Sequence, residues 1–256
     1  MIYRNYLAPL RLCLVALQIL SGVVQAGLIY PYIGQQMRAS MKRRWSRQML
    51  HILGIRLSAH ASSIQSAGRP GLLVCNHVSF VDIFVINAVE PASFVAKSDV
   101  AHWPLIGKLC ASTDTMFIER GSRSAAYHTH RRLVDRLEQG HCIAVFPEGT
   151  SSRGDEVMPF HSALFQSAID AGVPIRCLTL SYHQEDGSPS FAPAYVDNIS
   201  LWQCLKAITR SRGLHAQLSN ASDLDTGTGD RRHLAQLAHQ AIARELAGRR
   251  ASHKGS

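Results

Sequence analysis

One short segment of the chain carries both an imidazole and a carboxylate: residues 76–82 have the sequence NHVSFVD. The segment directly follows Gly71–Cys75, an apolar run typical of a buried β-strand. Ligands and catalytic groups collect at the ends of strands in α/β sheets. On one continuous helix His77 and Asp82 would point about 140° apart, because each residue turns a helix by about 100°. A helix that begins near Ser79 instead leaves His77 in the loop, where it can fold back onto Asp82.

Such a pair has the chemistry of a general base. A carboxylate bonded to one imidazole nitrogen fixes the tautomer and stabilises the imidazolium that forms when the other nitrogen takes a proton. The pair of His77 and Asp82 therefore suits the activation of a hydroxyl group. The alternative is a capping turn, with a solvated His77 and with Asp82 in the first turn of the helix. The segment alone leaves both interpretations open.

A charged pair marks the next candidate segment. Residues 117–121 (FIERG) carry Glu119 and Arg120 at the end of a predicted strand. The ordinary interpretation is a surface ion pair, which contributes little to stability. The functional interpretation is an anion site, because a guanidinium group suits bidentate binding of phosphate.

A third polar segment, residues 146–150 (FPEGT), also follows an apolar strand. Its proline and glycine predict a turn. On that turn the Glu148 carboxylate and the Thr150 hydroxyl are placed to bind the polyol part of a substrate. Residues 173–174 (VP) begin another buried strand and carry little functional information by themselves.

Strands and helices alternate along the chain after residue 70. Apolar runs predict strands at residues 71–75, 93–96, 115–118, 141–146 and 173–180. Helical periodicity and capping residues predict helices at residues 79–89, 123–138, 161–171 and 231–246. A polar loop at 219–230 and a frayed basic tail at 248–256 complete the prediction. This alternation predicts an α/β fold with a mostly parallel sheet flanked by helices.

The N-terminal segment has the composition of a membrane element. Residues 12–33 are mostly apolar and carry no charge, and about 20 such residues span the hydrocarbon core as a helix. An anchor that spans or dips into the bilayer, a cleaved signal peptide and a buried core helix are the three alternatives. Residues 37–57 predict a basic amphipathic helix lying on the bilayer. Its apolar face carries Met41, Trp45, Met49 and Leu53.

Charge is distributed very unevenly. The net charge is +9, and nine basic residues but no acidic residue precede Asp82. A basic cluster beside an apolar stretch favours anionic lipid over nucleic acid, and it would hold the rest of the chain on the cytoplasmic side of the inner membrane. The six cysteines are isolated and form no CxxC pair, which favours a reduced cytosolic setting and gives no support to a zinc site.

Taken together, four segments resemble the glycerolipid acyltransferase family, typified by 1-acylglycerol-3-phosphate acyltransferase. That family is marked by NHxSxxD, F-I-x-R, FPEGT and V-P, in this order. Here these motifs stand at residues 76–82, 117–120, 146–150 and 173–174, so the resemblance spans roughly residues 70–182. The resemblance implies transfer of a fatty acyl group from a thioester of coenzyme A or acyl carrier protein to a lysolipid hydroxyl, with no metal or redox cofactor.

The resemblance also implies residue roles. His77 is the expected general base, and Asp82 is expected to orient it. Arg120 is expected to hold the phosphate of the acceptor. The remaining residues expected to bind substrate come from the first and third motifs: Asn76, Ser79, Glu148, Gly149 and Thr150.

One departure from the family pattern affects the acceptor. Where the family often has Pro-Phe-Lys after the third motif, this chain has Pro159, Phe160 and His161. Loss of that lysine removes a fixed charge that a phosphate acceptor would use. A different lysolipid headgroup is therefore an alternative. This variant also resembles the branch of the family that acylates lyso-ornithine lipid, whose acceptor hydroxyl belongs to a 3-hydroxy fatty acid. A non-catalytic lipid-binding relative is the alternative class, and the absence of GxSxG argues against a serine hydrolase.

These elements suggest three segments. Residues 1–58 are expected to hold the membrane anchor and the basic amphipathic helix. Residues 59–218 are expected to form the acyltransferase α/β domain. Residues 219–256 are expected to hold a loop, the last helix and the tail.

Overall fold

Seven strands of the described chain form one sheet, in the order β1-β7-β6-β2-β5-β3-β4. The computed structural model describes residues 4–59, 69–103, 105–118, 123–196 and 199–254. The strands are β1 (Ile55–Ala59), β2 (Gly71–Cys75), β3 (Ser93–Lys97), β4 (Met116–Ile118), β5 (Cys142–Val145), β6 (Ile175–His183) and β7 (Leu214–Leu224).

The centre of the sheet is parallel. β2 pairs in parallel with β5 on one side and with β6 on the other, and all five of its residues are buried. β3 and β4 continue the parallel set beyond β5, whereas β7 runs antiparallel to β6 and β1 runs parallel to β7. The predicted mostly parallel sheet is confirmed. The near-continuous apolar runs of its strands follow from burial on both faces.

Helices cover both faces of this sheet. Side chains of α2, α3 and α7 join one core cluster, and side chains of α5, α6 and α8 join the other. The helices are α1 (Arg4–Leu28), α2 (Gln35–Leu53), α3 (Asp82–Val89), α4 (Ile106–Ser112), α5 (Arg123–Glu138), α6 (Phe165–Asp170), α7 (Leu201–Arg210) and α8 (Arg231–Lys254). Because β2 and β5 are parallel neighbours, their carboxyl ends bring the first and third motifs to the same edge of the sheet.

The N-terminal helix lies along the surface of the domain. The Arg11 guanidinium donates to the carbonyl of Thr209 in α7 (3.0 Å), and the Trp45 indole of α2 donates to the carbonyl of Gln18 (2.9 Å). Residues 8–32 of this region are the one stretch of described chain that is long and apolar enough to cross a membrane. One face of α1 packs inward, and the other is an exposed apolar stripe of Leu10, Leu14, Leu17, Leu20, Val24 and Leu28. α1 is therefore a surface helix and not a core helix.

Several helix boundaries differ from the sequence-based prediction; the helix predicted at 161–171, for example, is α6, Phe165–Asp170. α2 ends at Leu53, before the predicted end at 57, because Gly54 adopts the left-handed conformation (φ 76°) that terminates helices. The chain then enters β1, a strand that the sequence pattern did not reveal. α3 begins at Asp82 and the side chain of Ser79 does not cap it. The backbone N–H groups of Val78 and Ser79 instead donate to the Asp82 carboxylate.

The prediction of a loop at 219–230 is wrong for its first part. β7 continues to Leu224, paired with β6 through a register shift near Cys177. In the described chain, β1 covers the outer edge of β7 only as far as Leu218. Polar side chains are tolerated beyond that point, and they gave the segment the composition of a loop. The predicted boundaries at 58/59 and 218/219 both fall inside strands of this one sheet, β1 and β7.

The predicted frayed tail is also wrong, because α8 continues to Lys254. Arg249 anchors this part of the helix across β6 and β7. Its buried guanidinium donates to the Ser181 hydroxyl (2.8 Å), the Gln217 carbonyl (3.0 Å), the Thr179 carbonyl (3.3 Å) and the Ser219 hydroxyl. A residue near the C-terminus thus ties the last helix to the antiparallel part of the sheet.

We expect Arg249→Met to lower the free energy of unfolding by about 3 kcal/mol, because it removes a buried charge-assisted network while leaving its acceptors in place. Arg244→Met is the matched control, since Arg244 is an exposed arginine on the same helix; we expect a change within about 0.5 kcal/mol. Urea unfolding of both variants is the measurement. Equal losses in the two variants would contradict the anchoring role of Arg249.

Candidate active site

The structure brings His77 and Asp82 together. Nδ1 of His77 lies 2.9 Å from Oδ2 of Asp82. The Asp82 side chain is fully buried, whereas 22% of the His77 side chain remains exposed. The buried carboxylate therefore faces one nitrogen of an imidazole that still reaches the surface.

The loop before α3 owes its shape to the same carboxylate. Oδ2 of Asp82 also accepts the backbone N–H groups of Val78 (2.7 Å) and Ser79 (2.9 Å). The backbone N–H of Asp82 in turn donates to the Ser79 carbonyl (3.1 Å). Because hydrogen bonds to an ionised acceptor are stronger than neutral ones, this cluster keeps His77 in the loop and turned toward Asp82.

A third side chain completes the environment of the carboxylate. The Tyr182 hydroxyl donates to Oδ1 of Asp82 over 2.7 Å. Burial, with the Asp82 charge as the second cause, raises the pKa of the Tyr182 phenol well above its usual value, so the hydroxyl keeps its proton. The sequence did not indicate this contact, since Tyr182 lies beyond the predicted end of its strand at residue 180. The one usable signal was chemical, because a buried tyrosine hydroxyl normally requires a hydrogen-bond partner.

The tautomer of His77 follows from its partners. An ionised carboxylate only accepts hydrogen bonds, so Nδ1 carries the proton and Nε2 is left with a lone pair. In the described part of the chain Nε2 makes no hydrogen bond. The imidazole is stacked on the Phe146 ring, with the two centroids 4.1 Å apart and an interplanar angle of 15°. The site thus holds a basic nitrogen in a fixed direction.

Glu148 connects the third motif to the histidine loop. Its Oε1 accepts the backbone N–H of His77 (2.7 Å), and its Oε2 accepts the backbone N–H of Met158 (3.0 Å). Burial raises the pKa of the Glu148 carboxyl from 4.5 to about 7, against the opposing effect of these two N–H donors. The Ser152 N–H also donates to the His77 carbonyl (2.8 Å), which adds a second link between the two loops.

Asn76 extends the pairing of β2 and β6. Its side-chain amide donates to the Leu180 carbonyl (2.9 Å), and its side-chain oxygen accepts the Leu180 N–H (2.8 Å). Asn76 and Ser79 are both fully buried. Direct contact of Asn76, Ser79 and Glu148 with substrate stays a prediction. The Asn76 and Glu148 side chains have partners inside the protein, and Ser79 donates its backbone N–H to Asp82.

The remaining predicted residues differ in how the structure places them. Gly149 has a φ of 69° and its N–H donates to the Phe146 carbonyl (3.1 Å), so it forms the tight turn after β5. The next residue, Thr150, is exposed. Arg120 lies outside the described residues. Among the residues that are described, no three His, Cys, Asp or Glu side chains come together as a metal site.

The raised pKa of Glu148 has a consequence for stability. A carboxyl whose pKa is higher in the folded than in the unfolded chain binds protons more tightly when folded, so stability falls as the pH rises between the two values. The two pKa values are 4.5 and about 7, so titration of Glu148 should lower the free energy of unfolding by at most about 3 kcal/mol over this pH range.

We expect urea unfolding between pH 4.5 and 7.5 to show this loss in the natural protein and not in Glu148→Gln, which cannot titrate. Glu138→Gln is the control, because residue 138 is an exposed glutamate at the end of α5. The control should follow the natural protein across the range. Parallel pH curves for the natural protein and Glu148→Gln would contradict the prediction.

Comparison with known proteins identifies the family that this chain resembles. The family model described as Acyltransferase matches residues 56–181. The chain is 36% identical over 173 residues to a 1-acyl-sn-glycerol-3-phosphate acyltransferase of Neisseria gonorrhoeae, covering 65% of this chain and 68% of that protein. It is 31% identical over 214 residues to a lyso-ornithine lipid O-acyltransferase of Pseudomonas aeruginosa, covering 83% of this chain and 80% of that protein.

A solved structure has the same fold. The 1-acyl-sn-glycerophosphate (LPA) acyltransferase PlsC of Thermotoga maritima superposes with a TM-score of 0.72 at 16% identity, covering 98% of this chain and 97% of that one. The match extends over the N-terminal helices as well as the sheet. The resemblance drawn from the four motifs is thereby confirmed, and this chain belongs to the acyltransferase family.

Proposed function

We propose that this protein transfers a fatty acyl group from a thioester of acyl carrier protein or coenzyme A to the hydroxyl of a lysolipid, with His77 as the general base. One observation carries the proposal. A fully buried carboxylate fixes Nδ1 of a histidine whose side chain stays partly exposed to solvent. Asp82 is the residue that orients this histidine and stabilises its charged form.

The reaction follows from that arrangement. Nε2 of His77 removes the proton of the acceptor hydroxyl while the oxygen attacks the thioester carbonyl, and Asp82 stays ionised beside the imidazolium. A carbon–oxygen bond forms, the carbon–sulfur bond breaks, and the departing thiolate recovers the proton from His77. No acyl-enzyme is required, and the GxSxG nucleophile motif does not occur in the sequence.

Two acceptors are candidates. 1-Acylglycerol-3-phosphate fits the second motif, in which Arg120 would bind the phosphate. Lyso-ornithine lipid is favoured by His161, which replaces the lysine of the family. The backbone N–H of His161 donates to the carbonyl of Pro147 in the third motif (2.9 Å), so this residue lies beside that motif. The similarity to the lyso-ornithine lipid enzyme also covers more of this chain.

The decisive assay supplies both acceptors side by side to membranes that contain the protein, with labelled acyl carrier protein and coenzyme A thioesters as donors. We expect His77→Ala to lower kcat for the preferred acceptor by about 10²- to 10⁴-fold, because the base acts in the transition state. KM should stay near its original value.

His130→Ala is the matched control, because His130 is a histidine on α5 that pairs with Asp170. It should retain full activity. Unchanged turnover in His77→Ala would contradict the general-base role. Absence of transfer with every donor and acceptor would contradict the proposed activity and favour the lipid-binding alternative.

We place the site at a bilayer surface, with α1 lying in one leaflet. Because α1 packs on α2, α4 and α7 along its length, only its exposed apolar stripe is available to lipid. Arg43, Arg44 and Arg47 line a groove between α1 and α2, where anionic headgroups would neutralise them. This arrangement supports the cytoplasmic face of the inner membrane as the location.

We expect Leu17→Asp combined with Leu28→Asp to weaken binding to vesicles of anionic phospholipid by at least about tenfold, since each leucine loses about 1.5–3 kcal/mol of apolar burial. Tyr127→Asp is the control, because Tyr127 is an exposed apolar residue on α5, across the sheet from α1. Vesicle sedimentation is the measurement. Equal binding of both variants would contradict insertion through the apolar stripe.

A further inference from the structure

The Asp82 carboxylate is held very differently at its two oxygens. Oδ2 accepts three hydrogen bonds, all from residues 77–79 of the adjoining loop. Oδ1 accepts the hydroxyl of Tyr182, which is 100 positions away in the chain. The contact with the rest of the sheet is therefore made at Oδ1.

We propose that Tyr182 is a positioning residue for the general base, because its hydroxyl fixes the plane of the Asp82 carboxylate and thereby the direction of the His77 imidazole. This inference rests on the proposed acyl transfer. The loop donors alone restrain the carboxylate from one side and can move together with it. The tyrosine hydroxyl comes from the sheet and cannot follow that movement.

Tyr182 is itself held from several directions. It is the second-to-last residue of β6 and is paired with Ala216 of β7. Its carbonyl accepts the N–H of Ser190 (2.9 Å), and its ring is buried in the core cluster beneath α3. The phenol oxygen is therefore held in place. It fixes the position of the carboxylate and, through the carboxylate, that of the imidazole.

The chemistry of the pair gives the hydrogen bond one direction. The carboxylate can only accept, so the phenol donates, and the bond persists while His77 gains and loses its proton. The charged and titratable groups around the dyad are Glu148 from the third motif, Tyr182 from β6, and the Cys75 and Cys204 thiols. Among these, Tyr182 is the side chain that donates to Asp82.

The test removes only the hydroxyl. We expect Tyr182→Phe to lower kcat about tenfold, as for loss of one hydrogen bond to a charged group, with KM for both substrates within about twofold. Tyr30→Phe is the matched control, since Tyr30 is also buried but its hydroxyl lies 3.5 Å from the Arg38 carbonyl in the N-terminal region. That variant should keep its kcat.

Two further readouts separate positioning from a general loss of stability. In a double-mutant cycle with Asp82→Asn, Tyr182→Phe should cost much less than it does in the natural protein, because the tyrosine acts through the carboxylate. The low-field NMR resonance of the His77 Nδ1 proton should shift or broaden in Tyr182→Phe and stay unchanged in Tyr30→Phe.

Each outcome decides one claim. An unchanged resonance with kcat within twofold of the natural value would overturn the role of Tyr182, and so would fully additive losses in the cycle. Failure of the natural protein to transfer an acyl group would overturn the proposed function. The NMR comparison would still decide whether Tyr182 positions His77.

Discussion

A carboxylate without solvent contact is unfavourable unless hydrogen-bond donors surround it, and Asp82 is such a group. Four donors converge on it: the His77 imidazole, the backbone N–H groups of residues 78 and 79, and the Tyr182 hydroxyl. The need to satisfy this one anion determines where α3 begins, how the preceding loop folds and which way the histidine faces. The geometry that suits a general base is thus the same geometry that makes the burial of the charge tolerable.

Glu148 holds the loop of the third motif in a similar way. Its carboxyl bridges the backbone of His77 and the backbone of Met158, so the turn after β5 and the loop after β2 are tied together. The two carboxyls nevertheless differ in how many hydrogen-bond donors compensate for their burial. Asp82 has four donors, whereas Glu148 has two backbone N–H donors against a burial that raises its pKa to about 7. Glu148 therefore titrates near neutral pH.

The two ends of the chain have different structural roles. The N-terminal helix packs one face on the domain and leaves an apolar stripe outward, beside the arginines of α2. At the other end, Arg249 ties α8 to the antiparallel strands β6 and β7, and β6 carries Tyr182. Under the proposed function, the apolar stripe keeps the protein at the bilayer in which the lysolipid lies.

The sequence by itself determined the parallel core and the first and third motifs. Apolar strands buried on both faces have a local signature, and the five-residue spacing lets His77 and Asp82 meet if a loop precedes the helix. Tertiary structure alone decided that Asn76 pairs with β6, that Tyr182 reaches Asp82, and that β7 replaces a predicted loop. These contacts join residues about 100 positions apart or depend on which strand lies beside which. Local composition does not record such pairings, because the free energy that favours them comes from long-range hydrogen bonds and burial.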